Sequence, residues 1–559
     1  MHKQQWRVLP PPSEPFPLQG KVPKPIDLVL YHRGITNETQ LETFLAADGR
    51  LGNDPSLLPD IDKAVLRILR ALLSGESIAI YGDFDVDGVT STVLLSQGLS
   101  ELGGKVIPYI PHRVKEGHGL SVEALKTLSQ QGVSLVITAD CGISSLAEVE
   151  EAHRMNLDII ITDHHTVPSS LPPALAVIDP KRTDSSYPFL HLSAVGVAYK
   201  VIQALCLSLG REEKEELLDL VALGTVADIA PLLGENRYMV RRGLEVLNRT
   251  QRLGLLEVIS LSGLRLGQLD TESISYALAP RLNATGRLGH AITSYELLTA
   301  QSLGEARPLA EELEKRNRER QRLTEEALSK AREEVLARHV EKPIFLVGDR
   351  DYPAGIIGLV AGKLSEEFYR PAAVMEIGEE ISRGSARSIP EFNIIAALTQ
   401  CRELFLRFGG HPQAAGFLIA NENIGQLELR LLEIAEDQLA KIELYPTLSI
   451  DAEIPLGALR GEIIRFINRL EPFGQGNPPP TFLTRRVAVL NQHVVGDQGK
   501  HLKLKLKSDG VIWRAIGFGL GPFSEEIRQY IDIVYNLGVD NWGENRTLEL
   551  NLLDLAPAT

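Results

Sequence analysis

Cysteine is scarce in this sequence, with Cys141, Cys206 and Cys401 as the only three among 559 residues. An odd number of widely spaced thiols argues against a disulfide framework and against a cysteine-based zinc site. We therefore expect three reduced thiols, as in a cytosolic protein.

Long apolar runs and nucleotide-binding loops are missing as well. No apolar stretch approaches the ~18 residues that predict a membrane span. The first residues, MHKQQWRVLPPPSEPFP, have prolines where a secretory signal has an apolar segment. A cytoplasmic location and no membrane contact are therefore expected. GFGLG at 517–521 lacks the spacing of a dinucleotide loop, and no GxxxxGK loop occurs, so neither NAD nor ATP is supported.

Positive charge is in deficit, because 58 Lys and Arg face 73 Asp and Glu, for a net charge of −15. That balance speaks against a general binder of polyanions. Contact with nucleic acid would therefore need local basic patches.

The length predicts several domains, since one domain usually takes roughly 100–200 residues. The segment 304–340 is charged at most positions and has small apolar residues at helical spacing, which predicts a long helix between domains. The expected domains are an N-terminal arm (1–60), an α/β domain (61–245), a helical region with the long helix (246–340), a second α/β domain (341–440) and a C-terminal β-barrel (445–559).

Strand-length apolar runs alternate with helix-like segments in the first α/β domain. This spacing is typical of right-handed βαβ units. It predicts a doubly wound parallel sheet. The predicted strands are 77–82, 105–110, 133–139, 157–162 and 175–179.

Acidic residues directly follow three of these runs, at Asp83, Asp140 and Asp163. In a parallel sheet they emerge together at the carboxyl edge, where such sheets place their active sites. Asp85 and Asp87 follow Asp83 at every second position. Because crowded carboxylates repel one another unless a cation lies among them, a metal site is predicted. Asp87 is alternatively the cap of a helix that begins near Val89.

The segment TDHH at 162–165 adds His164 and His165, and Asp228 follows a later helical stretch. Carboxylates with imidazole suit Mn²⁺ or a similar ion somewhat better than an all-oxygen Mg²⁺ site. Two ions about 3.5–4 Å apart would activate a water and stabilise a phosphoryl transition state. Neighbouring residues in extended chain point in opposite directions, so one histidine is expected to bind metal and the other substrate.

Four segments in this order, GDFDVDG, TADCG, TDHH and GTVADIAPL, resemble the motifs of the DHH phosphoesterase superfamily. Later segments resemble the bacterial exonucleases specific for single-stranded DNA within it. The resemblance covers about residues 60–559. Those later segments are PRLNATGRLGHA (280–291), GIIGLVAGKL (355–364), RGSARS (383–388), GGHPQAAGF (409–417) and LEPFGQGNPPP (470–480).

The resemblance implies DHH, DHHA1 and OB-type domains and a 5′-to-3′ exonuclease that uses two Mn²⁺ or Mg²⁺ ions. Such an enzyme releases mononucleotides and acts in recombination and repair. By motif, Asp83 and Asp85 would bind one ion each, Asp140 would bridge them, and His164 and Asp228 would complete the second site. His165 would face the scissile phosphate, and Asp87 is left open as a ligand or a supporting residue. The implied catalytic set is Asp83, Asp85, Asp87, Asp140, Asp163, His164, His165 and Asp228.

A 5′ exonuclease needs donors for a terminal phosphate, and the arginine fork grips phosphate with two hydrogen bonds. By resemblance, His411 would contact the nucleotide next to the cleaved bond. The phosphate candidates are Arg113, Arg281, Arg287, Ser385 and Arg387, with the choice between Arg281 and Arg287 open.

The segment KHLKLKLK at 500–507 alternates strictly. Lys503, Lys505 and Lys507 then share one strand face and the leucines the other. A barrel with a lysine-lined face suits binding along a phosphate backbone, although a solvated strand face fits the pattern too.

Two alternatives remain beside a monomeric exonuclease acting on single-stranded DNA. One is a DHH enzyme for short oligonucleotides, cyclic dinucleotides or pyrophosphate, which would not need the barrel. The other is a binding protein with an inactive nuclease core, which would not need every acid and both histidines. A narrow cleft between the α/β domains would exclude duplexes, and a helicase and a single-strand-binding protein are possible partners.

Overall fold

A computed structural model describes residues 4–12, 18, 20–113, 115–338, 342–540 and 547–558. The expected junction of the long helix and the second α/β domain, at 339–341, lies outside the described residues, as do the two chain ends. The chain forms two compact units. The first holds residues 53–230 and 242–445, and the second holds 4–52, 231–241 and the described part of 446–559. Among the described residues, no helix is both long enough and apolar enough to cross a membrane.

The elements are numbered in chain order. The α-helices are α1 (Lys24–His32), α2 (Glu38–Ala46), α3 (Ile61–Ser74), α4 (Val86–Glu101), α5 (Val122–Gln130), α6 (Leu146–Arg154), α7 (Ala194–Ser208), α8 (Leu218–Ala227), α9 (Gly234–Leu247), α10 (Leu253–Leu261), α11 (Ala279–Leu288), α12 (Ile292–Thr299), α13 (Leu303–Arg338), α14 (Ile357–Phe368), α15 (Ile394–Thr399), α16 (Ile424–Leu439) and α17 (Gly461–Arg469). The strands are β1 (Gln5–Val8), β2 (Ser77–Gly82), β3 (Lys105–Tyr109), β4 (Val133–Ala139), β5 (Asp158–Thr162), β6 (Ala176–Ile178), β7 (Phe345–Asp349), β8 (Ala372–Glu376), β9 (Ile381–Arg387), β10 (Phe405–His411), β11 (Ala414–Ala420), β12 (Thr447–Ile450), β13 (Ala452–Glu453), β14 (Phe482–Val495), β15 (His501–Ser508), β16 (Val511–Gly517), β17 (Tyr530–Asp540) and β18 (Thr547–Pro557).

The first sheet is parallel throughout, with strand order β3-β2-β4-β5-β6. Its central strands are buried on both faces and read as runs of Ile, Val and Leu, as parallel strands do. β2 and β4 have the predicted bounds. The predicted parallel sheet is therefore confirmed.

The long helix α13 runs from Leu303 to Arg338, close to its predicted span. Its later buried residues, Ala327, Ala331 and Val335, pack in one core with strands β7 and β8 and helix α14. The second sheet has order β10-β11-β9-β8-β7, in which only β7 and β8 run parallel. Helix α13 thus ends against a second α/β layer of the same unit.

The second unit contains a closed five-stranded barrel with order β14-β15-β16-β18-β17 and a return pairing of β17 to β14. The predicted alternation on β15 is confirmed, since Leu502, Leu504 and Leu506 are buried and the three lysines between and after them are exposed. This unit is also held by Arg237, which is fully buried, lies 3.9 Å from the Phe44 ring centroid and donates to backbone carbonyls.

Candidate active site

Backbone hydrogen bonds continue the parallel ladder one residue beyond the strands. The backbone N–H of Asp83 donates to Ala139 (3.1 Å), that of Asp140 to Thr162 (3.2 Å) and that of Asp163 to Ile178 (3.1 Å). The three aspartates therefore lie side by side at the carboxyl edge of the sheet, as predicted. Asp140 has a φ of 68°, which is uncommon for a residue other than glycine.

Carboxylate and imidazole atoms converge in three overlapping groups, within each of which the ligand atoms lie within 4.8 Å of one another. Every predicted metal ligand belongs to at least one group, and Asp140 and His164 each belong to two. The groups are Asp83, Asp85 and Asp140; Asp87, His164 and Asp228; and Asp140, His164 and His165.

The two acids at the centre of the cluster, Asp83 and Asp140, are buried and each has a carboxylate oxygen without a hydrogen-bond donor among the described residues. Asp83 and Asp140 are only 1% and 2% exposed, and their Oδ1 atoms accept no hydrogen bond from any described residue. Burial and the neighbouring carboxylates raise both pKa values well above the usual range of an aspartate. Oxygen atoms and imidazole nitrogen in this arrangement fit Mn²⁺ or Mg²⁺, which would supply the missing positive charge.

His164 has one ring nitrogen committed to the backbone. Its Nδ1 lies 3.2 Å from the carbonyl oxygen of Leu192, so Nδ1–H donates there and Nε2 keeps its lone pair. Nε2 lies 3.2 Å from Asp140 Oδ1. The imidazole is thus oriented as a metal ligand beside the predicted bridging carboxylate.

Asp163 accepts four hydrogen bonds from the chain. It accepts from the backbone N–H groups of Ile143, His164 and His165 and from His165 Nδ1 at 2.7 Å. Burial raises the pKa of Asp163, but the hydrogen bond and charge of His165, the backbone bond from Ile143 and the charge of His164 together lower it to about 2. Burial lowers the pKa of His165, but the same hydrogen bond and the charges of Asp163, Asp228 and Asp83 together raise it to about 9. Asp163 therefore positions a charged His165, and three of the four hydrogen bonds that Asp163 accepts fall on its Oδ1.

Asp85 and Asp87 cap different helices. Asp85 caps α4 by accepting from Gly88 N (3.0 Å), so the hypothesis that Asp87 caps a helix near Val89 is wrong. Asp87 instead accepts from the backbone N–H groups of Ala194 (2.8 Å) and Val195 (2.9 Å) at the start of α7. Its Oδ2 lies 3.9 Å from His164 Nε2. This geometry favours a supporting role for Asp87.

A cluster of arginines adjoins the acids. Arg113 stacks on Phe84, with Cζ 4.7 Å from the ring centroid, and Phe84 lies between two of the acids in sequence. Burial, together with nearby Arg113, Arg320 and Arg387, lowers the pKa of Arg287 to about 9. Among the described carboxylates, none lies within ion-pair distance of Arg113, Arg287 or Arg387. Cations crowded in this way indicate an anion site.

Ser385 adjoins this arginine cluster, because its Oγ accepts a hydrogen bond from Arg387 at 3.2 Å. Gly358, in the first turn of α14, approaches both side chains, and a Cβ there would lie 3.0 Å from Ser385 Oγ. The N-terminal N–H groups of α14 therefore lie near these two residues, as suits a phosphate.

Arg281 and His411 lie in different surroundings. Arg281 pairs with Glu314 at 2.7 Å and also donates to the carbonyl of Ala277, so its guanidinium is engaged. His411 is exposed at the end of β10, next to Gly410, where a Cβ would lie 2.3 Å from the carbonyl oxygen of Ala414. Of the two open phosphate candidates, the geometry favours Arg287.

Sequence reasoning missed four residues of this region. Asp179 follows β6 as the other acids follow their strands, so the same rule could have found it. Arg383 lies on the same face of β9 as Ser385 and Arg387, so the alternation of this strand could have indicated it. His118 Nδ1 lies 3.3 Å from Asp83 Oδ1, and Arg320 lies on α13. No local pattern distinguishes these two.

Replacing Asp163 by asparagine is expected to destabilise the metal-free protein in a pH-dependent way. The folded-state pKa of His165 lies above its unfolded value, so this stabilisation is complete below about pH 6.5 and is lost as the pH rises through about 9. Urea unfolding in EDTA should show the largest difference from wild type near pH 6 and a smaller one near pH 9.5.

The matched control is Asp219→Asn, which breaks the 2.7 Å ion pair with Arg252. Because arginine stays charged throughout this range, the destabilisation by the control should be nearly constant with pH. A difference for Asp163→Asn that is equally constant would contradict the role given to His165.

Three family models match the chain in order: the DHH family N-terminal domain (77–225), the DHHA1 domain (338–441) and the RecJ OB domain (450–554). The single-stranded-DNA-specific exonuclease RecJ of Bacillus subtilis is 38% identical over 94% of this chain and 67% of its own length. The protein of the same name from Dickeya dadantii is 32% identical over 98% of both chains. The crystal structure of RecJ in complex with Mn²⁺ from Thermus thermophilus superposes with a TM-score of 0.84 at 28% identity, over 99% of this chain and 80% of that one. With this fold, this site and these relatives, the chain belongs to the RecJ family.

Proposed function

We propose that this protein is a metal-dependent exonuclease that degrades single-stranded DNA from its 5′ end to mononucleotides, in DNA recombination and repair. The adjacency of a carboxylate–imidazole cluster and an arginine cluster within one unit carries the proposal. The names of the relatives, which are exonucleases specific for single-stranded DNA, support it.

The acids and His164 would hold the metal. Asp83 and Asp85 would bind one ion each, Asp140 would contribute to both sites, and His164 and Asp228 would complete the second site. When bound, such ions activate water and stabilise phosphoryl charge. Asp87 would keep the start of α7 in place by accepting from the backbone N–H groups of Ala194 and Val195.

The remaining side chains would position the strand. His165, held charged by Asp163, would donate to an oxygen of the scissile phosphate. Arg113, Arg287 and Arg387, with Ser385, would grip the terminal 5′ phosphate. Because Arg113 stacks on Phe84, directly between Asp83 and Asp85 in sequence, the two phosphates would be close neighbours along the strand. A short separation between the two phosphates would favour the release of single nucleotides.

The test is Mn²⁺-dependent release of nucleotides from a 5′-labelled, 3′-blocked single strand, with a blunt duplex of the same sequence and an EDTA reaction as controls. Mononucleotides from the single strand alone are the expected result. Hydrolysis of dinucleotides or pyrophosphate without attack on the long strand would instead favour the small-substrate alternative, and no hydrolysis at all would favour a binding protein.

We further propose that the barrel binds the strand through its lysine face. Lys503, Lys505 and Lys507 are exposed on β15, and Arg514 on the neighbouring strand lies opposite Lys505. Strands two and three of such barrels commonly form the nucleic-acid face.

Changing all three lysines to glutamine should weaken binding of a long single strand and flatten its salt dependence. Each lost phosphate contact should lower the slope of log K against log salt by about 0.7. The control is Lys126→Gln, an exposed lysine on α5. A slope equal to that of wild type would contradict the assignment of this face.

The domain bounds 61–245, 341–440 and 445–559, a monomeric state and a cytoplasmic location are also part of the proposal. Three buried free thiols agree with a reducing compartment. Delivery of the strand by a helicase or a single-strand-binding protein would be detected as faster degradation of duplex or coated substrates.

A further inference from the structure

The residue after Asp228 has an unusual backbone conformation. Ile229 has a φ of 58° and its side chain is 70% exposed. A β-branched residue rarely adopts a left-handed conformation, because its side chain collides with the backbone.

Other helices of this chain end in the same way without this strain. Helix α8 closes with Ile229 N donating to Val226 and Ala230 N donating to Thr225, both at 3.2 Å. The same pair of bonds closes α1, α3, α4, α6, α7 and α10. Their left-handed residues are Gly34, Gly75, Gly103, Asn156, Gly210 and Gly263. Glycine and asparagine are the usual residues at this position, so α8 departs from the six helices that close with the same pair of bonds. Ala47 after α2 and Tyr369 after α14 are also left-handed, but neither is β-branched.

Packing within the protein does not account for the isoleucine. Its neighbours fix the turn, because Ala230 is buried and Asp228 Oδ2 lies 3.9 Å from His164 Nδ1. The side chain of Ile229 is left in solvent, where it buries little apolar area. Glycine would adopt the same turn with less strain. The strained and exposed isoleucine therefore indicates a contact with a molecule that the protein binds.

We propose that Ile229 packs against the apolar face of a DNA base at the rim of the catalytic centre. This inference rests on the proposed function and adds a contact to it. Bases of a single strand expose their faces, whereas those of a duplex are stacked, so the contact would also favour single strands. Stacking and apolar contact of this kind is tolerant of sequence.

The test compares Ile229→Gly and Ile229→Val with wild type. The glycine variant is expected to melt at the same temperature as wild type or higher, while its KM for single-stranded DNA rises about tenfold. The valine variant should keep most of the affinity, because it keeps an apolar, branched side chain. Asn156→Gly, at the end of α6, is the matched control and should leave KM unchanged.

An abasic substrate separates a base contact from other causes. On a strand whose first nucleotides lack bases, wild type and Ile229→Gly should have equal KM values. The rise in melting temperature on adding Mn²⁺ should also be equal for the two proteins, because Asp228 keeps its place.

Four outcomes would overturn the inference: a KM within twofold of wild type for the glycine variant, a lower melting temperature, a reduced response to Mn²⁺, or a KM difference that persists on the abasic strand. A wild-type protein that ignores single-stranded DNA altogether would overturn the proposed function as well. A cleaving wild type with any of the four results would leave the proposed function standing.

Discussion

The Asp140→Asn variant is expected to lose nuclease activity by roughly 10³-fold or more, while its metal-free form becomes more stable than wild type. The loss follows from the position of Asp140, which belongs to two of the three ligand groups. Metal-ion stabilisation of a phosphoryl transition state amounts to several kcal/mol, and each ~1.4 kcal/mol is a factor of ten in rate.

The gain in stability follows from electrostatics. Asp140 is 2% exposed, and burial and four other aspartates raise its pKa. A folded-state pKa above the unfolded value means that the carboxylate destabilises the fold increasingly as the pH rises above about 4. Asparagine removes this charge at the same volume. The melting temperature in EDTA should therefore exceed that of wild type at pH 7, and the difference should shrink toward pH 4.

In the presence of metal, wild type should be more stable than the Asp140→Asn variant. An ion at 100 times its dissociation constant stabilises a protein by about 2.7 kcal/mol, and the variant should gain much less. The matched control is again Asp219→Asn, a substitution of an equally buried aspartate that is paired with Arg252. It should lower stability by roughly 3–5 kcal/mol and keep activity per folded molecule. An Asp140→Asn protein that is less stable than wild type in EDTA would contradict this account.

The sequence predicted those parts of the site that depend on local pattern. Strand β4 has its predicted bounds, and Asp140 is the next residue. In a parallel sheet, a residue directly after a strand lies at the carboxyl edge, so the position of Asp140 could be predicted. The same rule, applied to the strand at 176–178, would have found Asp179. The alternation in β15 and the four-residue spacing in α13 depend only on neighbouring residues, so the structure keeps both.

Features that depend on contacts between distant segments were not predictable. Asp87 accepts its hydrogen bonds from the start of α7, more than a hundred residues away, and no spacing in the sequence predicts this contact. Arg320 reaches the arginine cluster from the middle of a helix in which the nearby Arg318 and Arg322 form ordinary surface ion pairs. Residues 4–52 pack in one unit with the barrel, which an arm-like N-terminal composition does not indicate.

Replacing Arg387 by methionine is expected to remove the preference for a 5′ phosphate. Wild type should degrade a 5′-phosphorylated strand faster than a 5′-hydroxyl strand, because Arg387, Ser385 and Arg287 lie near one another and none of the described carboxylates pairs with the two arginines. A hydrogen bond to a charged group contributes about 1.5–3 kcal/mol, so the rate on the phosphorylated strand should fall roughly 10- to 100-fold. The rate on the hydroxyl strand should change little.

Stability should move in the opposite direction from activity. Burial and Arg113 lower the pKa of Arg387, so its charge is held at a cost in the free protein. Methionine at this position should raise the melting temperature, and added inorganic phosphate should stabilise wild type more than the variant.

The control is Arg281→Met, which removes an arginine of the same predicted set. Because Arg281 is paired with Glu314 and both side chains are largely buried, this change should lower stability and keep the preference for a 5′ phosphate. The opposite pattern, with the preference lost in the Arg281 variant and kept in the Arg387 variant, would move the phosphate site away from the α14 terminus. The two variants thus compare an arginine that has a carboxylate partner within the fold with one that donates only to Ser385 and to the carbonyl of Ala386 among the described residues.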